Sequence, residues 1–365
     1  MSIEANVAGS KKTISEIYAN VDGSVKEITS VWANKDGVPT PLYQSKLKRF
    51  VVSSLGMDGY SNLWYSDDHC KSWTMLNSVL TDYSGDPYDL HSIKYLNDRF
   101  IAISNEGYGH VYASFDGIND WTLVDLDWCH IDLHTVYDLA YGNDRLIYVG
   151  ANKKYDSSAS KYTYTPLVCC YGDKMMSGLP TDKFMSKIAY GKDRFVVLGS
   201  TGLSYYCMDD SNKWVKGGIG LSEDFTADAL IYGGDRFICS GHNDRYSAIT
   251  YYSLDGISWT EMSGSKNAWS SWDYVVAIAY GNGRFVAVAE DSIALYSLDG
   301  ETWHESELDL SFTSVRDVIF ANNRFVVTER WGYINHSFDG INWTRVCGDL
   351  GNINITGIAY AEWDI

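Results

Sequence analysis

The stretch that decides the fold is SLDGETW at residues 297–303, because close copies of it recur along the chain. The other copies are SDDHCKSW (66–73), SFDGINDW (114–121), MDDSNKW (208–214), SLDGISW (253–259) and SFDGINW (337–343). A second motif precedes each copy and reads aromatic, small or polar residues, Arg, then Phe or Leu, as in YGNGRF at 280–285. Its arginines are Arg49, Arg99, Arg145, Arg194, Arg236, Arg284 and Arg324. Repeats with a period of about 40 to 50 residues are typical of propellers and solenoids.

The units between these motifs have the pattern of short antiparallel strands. Each divides into four segments of alternating apolar and β-branched residues, separated by turn residues such as Gly-Asn and Asp-Gly. The sequence therefore predicts an all-β fold, a seven-bladed propeller of four-stranded antiparallel blades over residues 46–365. The first unit lacks its leading strand and the last has only that strand, so residues 355–361 should complete the first blade and close the ring.

Residues 1–45 carry a different and shorter repeat. KTISEIYANVDGSVKEI is followed by TSVWANKDGVPTPLYQS, and each half indicates a hairpin around a VDG or KDG turn. A pair of hairpins is marginally stable alone. We therefore expect this attachment segment to pack on the propeller, to trimerise, or to dock to another protein.

The composition excludes several classes of partner. A net charge of −18 and a pI near 4.7 disfavour nucleic acid. No apolar run is long enough for membrane insertion, and the N-terminus lacks the pattern of a signal peptide. The seven cysteines contain no CxxC pair, which favours reduced, buried thiols. Cys129, His130 and His134 lack a fourth ligand, so we expect neither a metal nor a cofactor.

The recurrence of the turn indicates that it is structural. Asx-type turns bind backbone N–H groups through a carboxylate, and the following Trp can pack over the strand ends. A feature present in nearly every blade meets a need of every blade, whereas catalysis needs one site. The structural carboxylates are predicted to be Asp116, Asp255, Asp299 and Asp339. The repeated arginines should likewise be strand or turn partners.

Variable loops indicate where a ligand binds. Loops between the second and third strands, and the crossings between blades, lie at one end of the ring and differ from blade to blade. Their aromatic and polar residues suit a carbohydrate or a polar protein surface. The candidate ligand-binding residues are Trp128, His130, Tyr155, Tyr162, Tyr164, Tyr246, Trp269, Trp272, Arg330 and Trp331.

The SxDGxxW turn resembles the Asp-box (BNR) repeat of sialidase-like propellers, SxDxGxTW, and is one residue shorter. The resemblance covers six of the seven units, and the Asp-box occurs in glycosidases, receptors and scaffolds alike. A sialidase also needs three arginines, for which Arg245, Arg316 and Arg330 are available, but the chain has no Arg-Ile-Pro motif near its start. No catalytic residue is assigned, and a glycoside hydrolase remains an alternative.

The attachment segment is similar to short tandem YxxVDGxxKxI modules of tail-associated proteins of Gram-positive bacterial phages and prophages. That resemblance implies a phage or phage-like tail component, located in the virion or, when expressed from a prophage, in the bacterial cytoplasm. Residues 1–45 would contact other virion proteins, with a homo-oligomer as one possibility. The propeller would act as a noncatalytic, receptor-binding type of module for a cell-surface glycan or surface protein. A purely structural tail or assembly protein is the second alternative.

Overall fold

The fold is a closed ring of seven antiparallel blades, as the repeat predicts. The computed structural model describes residues 46–56, 61–76, 80, 89–104, 110–124, 135–156, 161–170, 179, 184–208, 211, 213–245, 247–262, 275–289, 294–306, 315–347, 350 and 353–364, together with the backbone of strands within 3–44. These residues form strands and turns. Among them there is no helix with the length and apolar character needed to cross a bilayer.

The chain closes the ring by completing its first blade with its last strand. From the axis outward this blade contains β33 (Ile353–Asp364), β7 (Lys46–Gly56), β8 (Ser61–Ser66) and β9 (Thr74–Leu76). β33 pairs with β7 from Ile353 opposite Gly56 to Asp364 opposite Lys46. The predicted closure through residues 355–361 is confirmed, and the closing strand is longer than predicted at both ends.

The other six blades follow in chain order, each with its first strand nearest the axis. Blade two contains β10 (Leu90–Leu96), β11 (Arg99–Ser104), β12 (Val111–Ser114) and β13 (Thr122–Leu123). Blade three contains β14 (Thr135–Gly142), β15 (Arg145–Asp156) and β16 (Lys161–Cys170). Blade four contains β17 (Met185–Gly191), β18 (Arg194–Gly199), β19 (Ser204–Met208) and β20 (Val215–Lys216). Blade five contains β21 (Thr226–Gly233), β22 (Arg236–His242), β23 (Ala248–Ser253) and β24 (Thr260–Glu261). Blade six contains β25 (Val275–Gly281), β26 (Arg284–Ala289), β27 (Ala294–Ser297) and β28 (His304–Glu305). Blade seven contains β29 (Val315–Ala321), β30 (Arg324–Glu329), β31 (Ile334–Ser337) and β32 (Thr344–Cys347). Within the described residues the third blade has three strands.

The hydrophobic core is divided into clusters between neighbouring blades. A buried cluster lies at every one of the seven interfaces, including the one between blade seven and blade one, where Phe50 and Val52 meet Val326. Four of the buried thiols, Cys70, Cys170, Cys207 and Cys239, belong to this core or its rim. The fold is therefore stabilised mainly by blade-on-blade packing.

The aromatic–Gly motif builds the inner part of each interface. Tyr280 lies opposite Phe285 in its own hairpin, with ring centroids 4.5 Å apart. The next aromatic along the ring, Phe320, covers Gly281, and a Cβ added to Gly281 would lie 2.0 Å from the Phe320 ring. The equivalent pairs are Gly142 with Tyr190, Gly191 with Tyr232 and Gly233 with Tyr280. Glycine is required here because the neighbouring ring occupies the space of a side chain.

The attachment segment contains one more hairpin than the sequence suggested. β1 (Ile3–Val7) pairs with β2 (Ser10–Ile14), β3 (Tyr18–Val21) with β4 (Ser24–Glu27), and β5 (Ser30–Lys35) with β6 (Val38–Gln44). In the last two hairpins the paired strands lie on either side of the Asp-Gly of the VDG and KDG sequences. The first hairpin has no Asp-Gly between its strands, so the turn pattern did not predict it.

Candidate functional site

Strand order gives the ring two different faces. The loops between the first and second strands and between the third and fourth strands lie at one end, which we call the repeated face. The loops between the second and third strands and the blade crossings lie at the other end, the variable face. β7 is the second strand of its blade, so Lys46 lies on the repeated face, paired there with Asp364. The connection to residues 1–45 therefore enters on the repeated face.

The repeated turn is a network of hydrogen bonds around one carboxylate. In the sixth blade, the backbone N–H groups of Glu301 and Thr302 each donate to Asp299 Oδ1 at 2.8 Å. The Ser297 hydroxyl donates to the same oxygen at 3.0 Å and accepts the Gly300 N–H at 2.8 Å. Asp116, Asp255 and Asp339 make the same set of bonds in their blades.

These hydrogen bonds keep the turn carboxylates ionised. Burial by itself would raise the pKa of Asp299, but the N–H donors of Thr302 and Glu301 outweigh it and lower the pKa to about 2. The same balance lowers the pKa of Asp116, Asp255 and Asp339. A carboxylate that already accepts several fixed donors is poorly placed to act as a general acid.

Several of the repeated arginines join their blade to the turn of the next. Arg49 in blade one forms a bidentate pair with Asp67, both N–O distances being 2.7 Å, and its third nitrogen donates to the Asp116 carbonyl of blade two at 2.7 Å. Arg194 donates to the Asp255 carbonyl of the following blade at 3.0 Å. The turn glycine also contacts the preceding blade, since a Cβ on Gly340 would lie 2.5 Å from Val286. The repeated residues thus hold neighbouring blades together.

The symmetry of the ring is broken at the variable-face end of the central channel. Every first strand has a β-bulge at the same register, close to where the strand begins. The extra residues are His91, Tyr137, Ser186, Asp228, Val276, Arg316 and Thr356. All except Ser186 line a channel cavity of about 550 Å³, together with Lys94, Asp138, Lys187 and Asp317. We call this end of the channel the mouth.

Some residues at the mouth stabilise the ring. The Asp317 carboxylate accepts the Val318 N–H at 2.8 Å and the Ile358 N–H of the next blade at 3.1 Å. Asp138, at the equivalent position in blade three, accepts the Ile188 N–H of blade four at 3.0 Å. The hydroxyls of Ser186 and Thr356 donate to the Ala227 and Leu90 carbonyls of the following blades at 3.0 and 2.8 Å.

Other charged residues at the mouth occur in single blades. Lys94 pairs with Asp138, and Asp228 contacts His242 Nδ1 at 2.6 Å. Burial raises the pKa of Asp228 even though the His242 bond opposes the shift. Burial lowers the pKa of His91. Lys187 and Arg316 add two more cations to the lining.

Asp317 makes the stability of the ring depend on pH. Burial in the channel raises its pKa to about 6, against the opposing effects of the Ile358 and Val318 N–H groups and of Lys94. Because the folded pKa lies above the unfolded value, this group stabilises the fold fully below about pH 4, and that contribution is lost as the pH rises to about 6. We expect the unfolding free energy of the wild type, measured against Asp317→Asn, to fall by at most about 3 kcal/mol across this window. If denaturant titrations gave the same difference in unfolding free energy between the wild type and Asp317→Asn at every pH in this window, the expectation would be wrong.

The structure describes two of the predicted ligand-binding side chains. Arg330 and Trp331 lie in the loop between β30 and β31 on the variable face. Trp331 is 38% exposed and has φ of +69°, a conformation uncommon for a bulky residue. The Arg330 guanidinium lies 5.3 Å from the Trp331 ring centroid and donates to Asn354 Oδ1 at 2.9 Å. Glu329, fully buried, accepts a bond from Asn335 at the base of this loop.

The remaining predicted residues are only partly placed. Tyr155, Tyr162 and Tyr164 were expected in a loop, but β15 and β16 continue through them, and Tyr155 pairs with Tyr162. β-branched and aromatic residues on both sides extend this hairpin. Five residues lie outside the described part of the chain: Trp128, His130, Tyr246, Trp269 and Trp272. The possible metal ligands Cys129 and His134 do so as well, and no group of three metal-binding side chains occurs among the described residues.

Sequence reasoning missed the mouth because its residues lie inside strands that were assigned to the core. A signal was present at one register, where LHSI, VYDL, MSKI, ADAL and VRDV place a polar residue of changing identity at their second position. The residue at this register is polar in most blades and differs from blade to blade, as expected for a bulge residue that faces the central channel.

Comparison with known proteins supports the fold. Neither a family model nor a curated protein matches the chain. Among solved structures, it is similar to YCF48 bound to D1 peptide, with TM-score 0.51, 13% identity and coverage of 75% of this chain and 85% of that one. It is also similar to the computationally designed Ika8 protein, with TM-score 0.52, 12% identity and coverage of 86% and 93%. For Sqt1 of Saccharomyces cerevisiae the values are 0.52, 11%, 84% and 84%. The chain therefore belongs, by fold, with the β-propellers.

Proposed function

We propose that this chain is a noncatalytic recognition module of a phage or phage-like tail. It binds a cell-surface glycan or surface protein through the variable face. The observation that carries the proposal is that the two faces of the ring carry different kinds of residue. The interblade bonds of the repeated arginines and the connection to residues 1–45 lie on the repeated face, whereas residues found in single blades lie at the mouth and in the loop of Arg330 and Trp331.

The loop of Arg330 and Trp331 supports a binding role. An exposed indole stacked with a guanidinium offers an apolar surface beside hydrogen-bond donors, which suits a sugar ring or a polar protein surface. Residues held at positive φ cost free energy and occur often at functional sites. YCF48, a propeller of similar fold, is described as bound to a peptide, so the architecture is compatible with recognition.

The phage assignment depends on the sequence resemblance of the SxDGxxW turn to the Asp-box and of residues 1–45 to tandem tail modules. The turn geometry supports a scaffold role for the Asp-box-like residues, because their carboxylates are occupied by backbone donors. With the attachment segment entering on the repeated face, the variable face is directed away from that connection.

The test is binding of the labelled full-length protein to bacterial cells and to a panel of cell-wall glycans. We expect Trp331→Ala to weaken binding about tenfold, since loss of a stacking aromatic at a binding site costs about one to two kcal/mol. Leu298→Ala is the matched control, because Leu298 is 65% exposed on the repeated face. The wild type and both variants are also assayed for glycan cleavage.

The outcomes separate the three hypotheses. Intact glycan recovered with measurable affinity supports the recognition module. Turnover of the glycan would replace it with a glycoside hydrolase. Absence of binding, with co-purification of other virion proteins, would indicate a structural tail protein.

A further inference from the structure

We propose that the mouth of the channel binds a single anionic group, a carboxylate or a phosphate, at the end of a surface glycan, with Lys187 as its cationic partner. The inference rests on the proposed function, because it names the chemical class of ligand for the same face. It concerns residues of the innermost strands, close to the axis of the ring, whereas the sequence predicts ligand-binding residues in loops.

Lys187 lies at the axis of the ring. It directly follows the bulge residue of β17 and lines the channel cavity. Its charge influences the pKa of His91 in blade two, Asp228 in blade five and Asp317 in blade seven. Only a position close to the axis brings a residue of blade four near groups in three other blades. The ammonium group therefore faces the shared space of the mouth.

The carboxylates of the mouth already have partners. Asp138 accepts bonds from Lys94 and from the Leu139 and Ile188 N–H groups. Asp317 accepts two backbone N–H bonds, and Asp228 is bonded to His242. Lys187, in contrast, has no side-chain hydrogen bond or ion pair within the described residues. A cation that makes no hydrogen bond in a confined polar cavity favours an anion.

The overall charge limits how much negative charge the ligand carries. The chain has 47 acidic residues against 29 Lys and Arg, and this field repels polyanions. The mouth is balanced, with Lys94, Lys187 and Arg316 against Asp138, Asp228 and Asp317. One anionic group on an otherwise neutral glycan fits both conditions. The cavity of about 550 Å³ is within the usual range for small-ligand sites.

The test is calorimetric titration of the full-length protein with D-glucuronic acid and with glycerol 1-phosphate, using D-glucose as the neutral probe. We expect one of the anions to bind and glucose not to. Lys187→Gln should weaken that binding about tenfold or more, because it removes a charge-assisted hydrogen bond. Lys192→Gln is the matched control, since Lys192 is exposed in the hairpin turn at the other end of the same strand.

The two anions distinguish the sources of the ligand, because preference for glucuronic acid indicates a uronic acid and preference for glycerol phosphate a phosphorylated glycan. Equal binding of glucose, no binding of either anion, or unchanged affinity in Lys187→Gln would overturn the inference. If one of these results is obtained while the wild type still binds cells and Trp331→Ala does not, the recognition function stands and only the anion site fails. If the wild type does not bind cells, the function itself fails.

Discussion

Replacing Arg49 by Met is expected to lower the unfolding free energy by about 3 kcal/mol, because removing one partner of a buried ion pair leaves the other uncompensated. The Arg49 side chain is 8% exposed and Asp67 is 34% exposed, which places the loss at the lower end of the range for buried pairs. The substitution also removes the bond to the Asp116 carbonyl and the stacking over Tyr65. Chemical denaturation with a fluorescence readout measures the change.

Arg99→Met is the control for this prediction. Arg99 occupies the same motif but is exposed and stacks on Phe115 of its own blade, 4.2 Å from the ring centroid. We expect its replacement to cost less than about 1 kcal/mol. The double variant Arg49→Met with Asp67→Leu should recover part of the loss, since the stranded carboxylate is gone. Equal losses in Arg49→Met and Arg99→Met would show that the bond between blades contributes little.

Replacing Gly281 by Ala should lower the unfolding free energy by about 2 to 3 kcal/mol, the usual cost of overpacking a filled interior. The new Cβ would lie 2.0 Å from the Phe320 ring of the next blade, so that ring has to move. Thermal unfolding of the two proteins under identical conditions gives the comparison.

Gly283→Ala separates this clash from backbone strain. Gly283 has φ of +71°, and a Cβ there would meet nothing within 4 Å. The cost should be about 1 kcal/mol, from the left-handed conformation alone. If Gly281→Ala were no worse than Gly283→Ala, the aromatic–Gly contact would not be what joins the inner strands.

The repeat made the architecture predictable. The number of blades, the four-strand unit and the closure by residues 355–361 followed from counting motifs and from the complementary fragments at the chain ends. Such features are predictable because hairpin turns and alternation are local, and repetition reveals them several times. The long hairpin through Tyr155 and Tyr162 was missed because its polar composition is that of a loop.

The contacts between blades and the mouth were not predictable to the same degree. The sequence indicated that the arginines and glycines recur, but not that Arg49 reaches the turn of the next blade or that Gly281 is covered by Phe320. Both depend on the angle between blades, which no local pattern encodes. The sequence marks the bulges only by a polar residue within a strand, and the extra residue that redirects a side chain is visible only in the pairing register.

The central claim is that residues recurring around the ring maintain its shape, whereas residues found once bind the ligand. The most direct test measures the unfolding free energy and the affinity for cells on the same preparations of Asp299→Ala and Trp331→Ala. We predict that Asp299→Ala loses about 1 to 2 kcal/mol of stability and keeps its affinity, while Trp331→Ala loses affinity and keeps its stability. Loss of affinity in folded Asp299→Ala, with unchanged binding by Trp331→Ala, would contradict the claim.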